Sequence, residues 1–436
     1  MEGIWNRERR GLTKNMSNWN LGMSTPATSS VEDARAPASL PYLGRLRSQP
    51  RPSVRPRSES VLLETFASSD AVVANLKPAE PVFCFLPAEL RAAARRFVAF
   101  PGRVLYAVKC NPHPFVLETL YREGITDFDV ASLDEIKLIG GLFEKSAGQS
   151  FNNPAKTRPA IRIGSEEHGI RFYTADCTEE VEKILEEACL DDDLIVAVRL
   201  ATAAKDARYT LTTKFGAQPD EAVRIVQMIK ARGVKAGVSF HVGSQCLNPK
   251  SFSAAISLSG KVMQKAGVPI SVLNVGGGFP APYPSDRLPD INAYFAHVIR
   301  GRRDIDLPPG CMLLCEPGRS LVATAGRVIV QVVVRRNRSI FLNDGVFGTL
   351  QELVSPQECR PVRLIRPSGP VSDRPIDFKV FGPTCDSNDV LGAPFLLPAD
   401  TREGDWIEVD MMGAYSLSMR TRFNGFHTDR IVAVTS

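Results

Sequence analysis

The sequence has no long apolar run and no Cys-x-x-Cys motif of the kind that binds metals or forms redox-active disulfides. No stretch of about 18 apolar residues occurs, so we expect no membrane-spanning helix and no membrane partner. The nine cysteines are an odd number and none is spaced Cys-x-x-Cys. This pattern argues against a disulfide scaffold or a zinc ribbon, and it favours a reducing, cytoplasmic location. Residues 1–10 lack the apolar stretch of a secretory signal.

Most of the chain also lacks an excess of either charge. The net charge is +5, but residues 1–60 hold ten of the 53 Lys and Arg and five of the 48 Asp and Glu, which leaves 43 of each in residues 61–436. A neutral body gives no support to nucleic-acid binding. Residues 1–60 are rich in Ser, Pro and Arg without apolar periodicity, and we interpret them as a disordered leader.

From about residue 84, short β-rich apolar runs alternate with helical patterns. The eight runs are 104–108, 128–131, 150–152, 171–174, 194–200, 238–242, 272–275 and 312–315. Alternation of this kind implies parallel strands joined by helical crossovers. A (β/α)8 barrel takes about 250 residues, so we predict an α/β fold with a TIM-like barrel over residues 84–325.

After residue 326 the helical patterns stop. Predicted strands separated by turns follow at 328–335, 339–342, 377–381, 405–409 and 430–434. We therefore predict a C-terminal all-β domain over residues 326–436, with residues 61–83 as a candidate source of one further element.

Polar residues follow four of the predicted barrel strands, at the strand ends where barrel active sites lie. They are Lys109, His241 with Ser244, Gly276–Gly277–Gly278, and Glu316 with Arg319. Desolvation at a strand end is expected to lower the pKa of the Lys109 amine and favour a nucleophile, whereas the structural alternative is a lysine that extends into solvent.

The other three sites have two interpretations each. The glycines either bring backbone N–H groups close to an anion or form a tight turn. Glu316 and Arg319 either bind separate parts of a ligand or form a salt bridge with each other. His241 either stacks on a planar ring of a ligand or is a strand-end histidine whose hydrogen bonds are satisfied within the protein. Together, a lysine for an aldehyde, glycines and an arginine for a phosphate, and a glutamate for a ring nitrogen predict a pyridoxal 5'-phosphate site and no metal.

Six motifs occur in order along the chain. They are Tyr-Ala-Val-Lys-Cys-Asn (106–111), His-Val-Gly-Ser (241–244), Gly-Gly-Gly-Phe-Pro (276–280), Glu-Pro-Gly-Arg (316–319), Gly-Pro-Thr-Cys-Asp (382–386) and Gly-Ala-Tyr (413–415). With these motifs, the chain from about residue 80 to 436 resembles the eukaryotic-type ornithine/lysine decarboxylases. These are barrel-fold pyridoxal-phosphate decarboxylases with the alanine-racemase-like fold, fold type III.

The resemblance implies decarboxylation of a basic L-amino acid, ornithine, lysine or a close analogue, to an amine of polyamine biosynthesis and carbon dioxide. Lys109 would attach the cofactor, and Glu316 would pair with its ring nitrogen. The further cofactor-binding residues would be Asp129, Arg199, His241, Ser244, Gly276, Gly277, Gly278, Arg319 and Tyr415. Cys385 would be the catalytic proton donor, and Asp386 and Phe423 would bind substrate. Cys385 and Asp386 would reach the opposite subunit's site, which implies a homodimer with shared sites.

One part of the family pattern is missing. Ser355-Pro356 stands where the family has Tyr-Asp, whose aspartate is a second ligand for the distal amine of the substrate. Either Glu358 replaces it from a shifted loop, or the substrate is longer or less cationic.

Three other functions compete with this interpretation. Diaminopimelate decarboxylases share the lysine and Glu-Pro-Gly-Arg, and Gln245 fits them, but their donor loop resembles Cys-Glu-Ser, where this chain has Cys385-Asp386-Ser387. A non-catalytic regulatory relative would have lost cofactor residues. A racemase would need a second base, usually a tyrosine, where this chain presents Cys385.

Overall fold

The computed structural model describes residues 62–211 and 214–436, so the predicted leader at residues 1–60 lies outside the described part of the chain. Two strands and two helices precede the barrel. They are β1 (Thr65–Phe66), α1 (Ser69–Leu76), β2 (Val82–Phe85) and α2 (Pro87–Val98). Pro87 occupies the first turn of α2, where its missing N–H costs no helical hydrogen bond.

Eight parallel strands close into a barrel, as the alternating pattern predicts. The strands of this region are β3 (Arg103–Ala107), β4 (Asp127–Val130), β5 (Gly148–Phe151), β6 (Phe172–Ala175), β7 (Ile195–Leu200), β8 (Ala207–Tyr209), β9 (Lys235–Phe240), β10 (Ser244–Cys246), β11 (Val272–Asn274) and β12 (Met312–Cys315). β8 and β10 form a separate antiparallel pair, which was not predicted. The barrel closes where Cys315 of β12 pairs with Val104 of β3.

Helices accompany the barrel strands. They are α3 (Pro114–Arg122), α4 (Leu133–Phe143), α5 (Arg158–Glu166), α6 (Thr178–Glu187), α7 (Pro219–Ala231), α8 (Lys250–Ala266), α9 (Ile291–Arg303) and α10 (Arg319–Val322). The first turn of α4 is fixed by two hydrogen bonds between side chains and backbone N–H groups. Ser132 accepts a hydrogen bond from the Glu135 N–H, and the Glu135 carboxylate accepts one from the Ala131 N–H.

The alternation of side chains along the strands brings the polar strand ends together. Leu105, Phe172, Ile195, Val272 and Leu314 come from five strands and pack into one apolar cluster. Because side chains alternate between the two faces of a strand, Arg199 in β7 and Asn274 in β11 share the face of this cluster. Lys109 and Glu316 follow β3 and β12 directly, at the same ends of the barrel strands.

The remaining strands form one nine-stranded sheet with β1 and β2. The elements after the barrel are β13 (Gly326–Arg336), β14 (Ser339–Leu342), β15 (Val362–Ile365), β16 (Pro375–Phe381), β17 (Phe395–Pro398), β18 (Trp406–Val409), α11 (Ser416–Met419) and β19 (Ile431–Val434). The prediction missed β15 and β17. The expectation that helices stop was also wrong, because the short α11 follows β18. Among the described helices, none is long and apolar enough to cross a membrane.

Candidate active site

Lys109 lies in a 3-10 turn, Val108–Cys110, directly after β3. Its Nζ donates a hydrogen bond to Oδ2 of Asp129 at 2.6 Å. Asp129 is buried in β4, whereas 49% of the Lys109 side-chain surface is exposed. The exposed part faces an open cavity of about 470 Å³, which Glu135, Leu138 and Tyr415 also line. A ligand can therefore reach the amine, while the carboxylate that holds it stays inside the barrel.

The predicted lowering of the Lys109 pKa was wrong. Burial of the amine does oppose the ammonium form, but the nearby acidic groups, Asp129 first, outweigh it and raise the pKa above its ordinary value. The sequence pattern showed an apolar strand end but not its neighbour. In the barrel, Ala107 pairs with Asp129 across β3 and β4, and this register places the carboxylate beside the amine.

Glu316 follows β12 and is held by two asparagines. Its Oε1 accepts a hydrogen bond from Asn152 Nδ2 at 2.8 Å and a second from Asn274 Nδ2. Oε2 has no hydrogen-bond partner among the described residues and is free to accept one. Burial, followed by the charge of Asp129, raises the Glu316 pKa to about 7. The carboxylate pairs with neither Arg319 nor another arginine in the described chain, so of the two interpretations of Glu316 and Arg319 the mutual salt bridge is excluded.

The three glycines after β11 pack too closely for side chains. A Cβ on Gly276 would lie 2.0 Å from the Phe240 carbonyl oxygen, and one on Gly278 would lie 2.3 Å from that of Gly243. Both glycines have positive φ, 64° and 98°. The Gly276 N–H donates to Asn274, whereas those of Gly277 and Gly278 have no partner among the described residues. The tight turn therefore also presents two free amide donors, as an anion requires.

His241 and Arg199 lie close to this cluster. The His241 Nδ1 accepts a hydrogen bond from the Gly243 N–H at 3.0 Å. Burial, assisted by the charges of Arg199 and Lys109, lowers the His241 pKa to about 3, so the ring is neutral at physiological pH. Burial also lowers the Arg199 pKa, and the charges of Glu316 and Asp129 partly offset this effect.

Arg319 begins α10 and is almost fully buried. Its Nε donates to Ser244 Oγ at 3.3 Å, and the Tyr415 ring lies 5.0 Å from its Cζ. Tyr415 comes from the loop after β18, and its backbone N–H donates to the Cys110 carbonyl oxygen at 2.8 Å. The contact explains how a residue of the sheet region reaches the strand end that carries Lys109.

A family model described as "Pyridoxal-dependent decarboxylase, pyridoxal binding domain" matches residues 87–323. The chain is 30% identical over 370 residues to an ornithine decarboxylase of Schizosaccharomyces pombe, which covers 80% of this chain and 82% of that protein. The chain belongs to the ornithine/lysine decarboxylase family. The predicted family, its pyridoxal phosphate cofactor and its enzyme class are thereby confirmed.

Two further relatives show the range of this family. Antizyme inhibitor 2 of Xenopus laevis is 30% identical over 387 residues, with 82% of each chain covered. The structure of a lysine/ornithine decarboxylase of Vibrio vulnificus complexed with putrescine superposes with a TM-score of 0.73 at 29% identity, over 85% of this chain and 99% of that one. The shared fold confirms the predicted fold class.

The residues present in this family member fit pyridoxal phosphate. Lys109 offers an amine beside a cavity, Glu316 has a free Oε2, and the glycine turn offers two free N–H donors next to Ser244. In pyridoxal phosphate the amine would bind the aldehyde, the carboxylate would bind the ring nitrogen, and the N–H donors would bind the phosphate.

The predicted donor loop lies in the sheet region. Cys385 is exposed, and its Sγ contacts Asn424 Oδ1 at 3.5 Å. Asp386 accepts a hydrogen bond from the Asn388 N–H, and the Phe423 ring lies 5.0 Å from that of Phe347. These contacts stay within residues 347–424. The neighbouring Asp389 is buried and accepts hydrogen bonds from the Val346 N–H and the Thr384 hydroxyl.

The sequence analysis did not identify three residues that bind predicted site residues: Asn152 and Asn274, which donate to Glu316, and Glu352, which pairs with Arg319. Asn152 and Asn274 lie at strand ends, so the rule that found Lys109 would also have found them. Glu352 ion-pairs with Arg319, with 2.6 Å between Oε1 and Nη2. It lies in a 3-10 turn far along the chain, and no motif pointed to it.

Proposed function

We propose that this protein decarboxylates a basic L-amino acid, ornithine, lysine or a close analogue, and releases the corresponding amine and carbon dioxide. The observation that carries the proposal is the convergence of Lys109 and Glu316 at one strand-end cavity, each held by buried partners. Bound pyridoxal phosphate supplies an aldehyde and a ring that withdraws electrons from the substrate's α-carbon.

In this proposal each residue has one task. Lys109 would hold the cofactor through its amine and would let the product leave, and Asp129 holds its Nζ. Glu316 would hold the protonated ring nitrogen through Oε2, and the neutral His241 ring and Arg199 would lie against the cofactor ring. Ser244, Gly276–Gly278, Arg319 and Tyr415 bind the phosphate.

We propose a homodimer with shared sites for the remaining steps. Cys385 of one subunit protonates the α-carbon in the other, and Asp386 with Phe423 binds the distal end of the substrate. The exposure of Cys385 and of Phe423, which is 41% exposed, supports this assignment, because such groups are available to a second subunit. Residues 84–325 then form the cofactor-binding domain and 326–436 the domain that supplies the donor loop.

The distal amine has fewer carboxylates than in the family pattern. Glu358 does not replace the missing aspartate, since it is buried and ion-paired with Arg360 and Arg208. The backbone at Pro356 packs closely against Gly392, where an added Cβ would lie 2.5 Å from the Pro356 nitrogen. We therefore propose that Asp386 alone binds the distal cation, with lower selectivity for ornithine over its analogues.

The diaminopimelate alternative loses one of its sequence arguments. Gln245, which suggested it, is fully buried, and its Nε2 donates to the Ala281 carbonyl oxygen at 2.7 Å and to Asp286. Because the Gln245 side chain is bonded within the protein interior, it does not contact a substrate.

A non-catalytic relative remains a second candidate. The Arg319–Glu352 ion pair favours it, because it occupies the arginine assigned to the phosphate. One relative of similar identity, antizyme inhibitor 2, is named as an inhibitor of another protein and not as a decarboxylase.

A substrate panel tests the proposal. Purified protein with pyridoxal phosphate is given L-ornithine, L-lysine, L-arginine, meso-diaminopimelate and the D-isomers, and carbon dioxide and amine are both quantified. We expect equal amounts of both from L-ornithine or L-lysine, none from Lys109→Ala, and wild-type rates from Lys265→Ala, an exposed lysine. Failure to bind the cofactor would favour the non-catalytic relative. Cofactor attached to Lys109 without turnover of any compound would mean that the pocket around residues 355–358 takes a modified substrate.

We also propose a cytoplasmic location and a role in polyamine biosynthesis. The absence of a disulfide among the nine cysteines supports the location. Subcellular fractionation and diamine levels in cells lacking the protein test these two proposals.

A further inference from the structure

Most hydrogen-bonding capacity of Arg319 is already used within the chain. Nη1 and Nη2 donate to the two carboxylate oxygens of Glu352 at 2.8 and 2.6 Å, and Nη1 also donates to the Tyr283 hydroxyl at 2.9 Å. With the Nε bond to Ser244, four of the five guanidinium N–H groups have partners among the described residues. One donor is left for a phosphate, which an arginine ordinarily binds with two.

The Arg319–Glu352 pair belongs to a chain of alternating charges. Arg360 contacts Glu352 and Glu358, and Arg208 contacts Glu358 and Asp286. The six members, including Arg319, are three arginines and three carboxylates, so the charges balance without any ligand. Five of the six side chains are less than a tenth exposed, and Arg208 is 14% exposed. A bound phosphate therefore adds negative charge to a buried group that is already neutral.

We propose that Glu352 is an internal competitor for the phosphate subsite and sets the affinity of this protein for phosphorylated ligands. The inference rests on the proposed function for the identity of that ligand. Glu352 presents two carboxylate oxygens to the guanidinium face that a phosphate needs, and a phosphate must displace it or lie against its charge. In the absence of ligand, Glu352 keeps the buried arginine paired and so stabilises the empty site.

The experiment compares pyridoxal phosphate with pyridoxal, which lacks the phosphate. Both are titrated into wild type and Glu352→Gln, and attachment to Lys109 is followed by visible absorbance. We expect Glu352→Gln to bind pyridoxal phosphate about tenfold more tightly, since one charge-assisted contact is freed, with unchanged pyridoxal affinity. Inorganic phosphate should compete with pyridoxal phosphate at lower concentration in the variant.

Two further variants sharpen the result. Glu408→Gln removes another buried, arginine-paired carboxylate, on β18, and should leave both affinities unchanged. Glu352→Asp keeps the charge but withdraws it by one methylene, so a gain of about threefold is expected. The Asp variant also serves as the test if Glu352→Gln does not fold.

The outcomes separate this inference from the proposed function. Equal or weaker pyridoxal phosphate binding by both Glu352 variants overturns the inference and leaves the function standing. An equal gain for pyridoxal also overturns it, because the effect would not come from the phosphate. Failure of every protein to bind pyridoxal phosphate overturns both proposals.

Discussion

Lys109 and Asp129 form a direct ion pair, with 2.6 Å between Nζ and Oδ2, and the carboxylate is the more deeply buried of the two side chains. An amine must lose its proton before it attacks an aldehyde, and Asp129 stabilises the protonated form. The same carboxylate that positions the amine therefore delays its reaction at neutral pH.

The first prediction concerns this pair. Asp129→Asn removes the charge that raises the Lys109 pKa, so attachment of pyridoxal phosphate should begin at lower pH and be faster at pH 7. The measurement is the rate of attachment against pH, with borohydride trapping and mass spectrometry to identify the modified lysine. Asp134→Asn, which changes another acid lining the cavity, is the control. An unchanged midpoint for Asp129→Asn would show that the pair does not control the amine.

The second prediction concerns the support of Glu316. Asn274→Ala removes one of two donors to Oε1 and leaves the Gly276 N–H without its acceptor. The Glu316 pKa should rise above about 7, and decarboxylation at pH 7 should fall by about tenfold, with the loss partly recovered at higher pH. The measurement is kcat against pH, with the exposed Asn75→Ala as control. A uniform loss at every pH would contradict the proposed electrostatic role.

The third prediction tests shared sites. Lys109→Ala and Cys385→Ala each lack one residue, and each should have little activity alone. Mixed subunits that exchange freely should recover up to about one quarter of wild-type activity, since half of the dimers are mixed and each has one complete site. Activity is measured after co-incubation and again after co-expression. No recovery despite proven exchange would place both residues in the same subunit's site.

The fourth prediction concerns stability rather than activity. His113 caps α3 through Nδ1, and burial, followed by the charge of Arg420, lowers its pKa to about 4. The unfolded chain then binds a proton below pH 6.5 that the folded chain does not, so this residue lowers stability as the pH falls.

His113→Asn keeps a capping acceptor without the titration. We expect equal stability at pH 7 and a gain of about 1–2 kcal/mol over wild type at pH 5, measured by urea unfolding. A constant difference between the two proteins across this range would show that His113 does not titrate as described.

The fold and most of the site were predictable because they depend on local patterns. Runs such as 312–315 mark strands wherever they occur, and barrel strands end at one rim, so Lys109, His241 and Glu316 had to lie near one another. The motif order then identified the family. The short strands β15 and β17 escaped prediction, since four residues without strong alternation are compatible with strand or loop.

The sequence by itself determined the order of strands and helices, the residue types at the strand ends and the family, because each follows from neighbours in the chain. Only the tertiary structure decided the charge state of the site. The barrel register places Asp129 beside Lys109 and raises a pKa that the local pattern predicted to fall. Packing likewise brings Glu352 to Arg319 from 33 residues away. Electrostatic interactions depend on distance in space, and nothing in the local sequence specifies that distance.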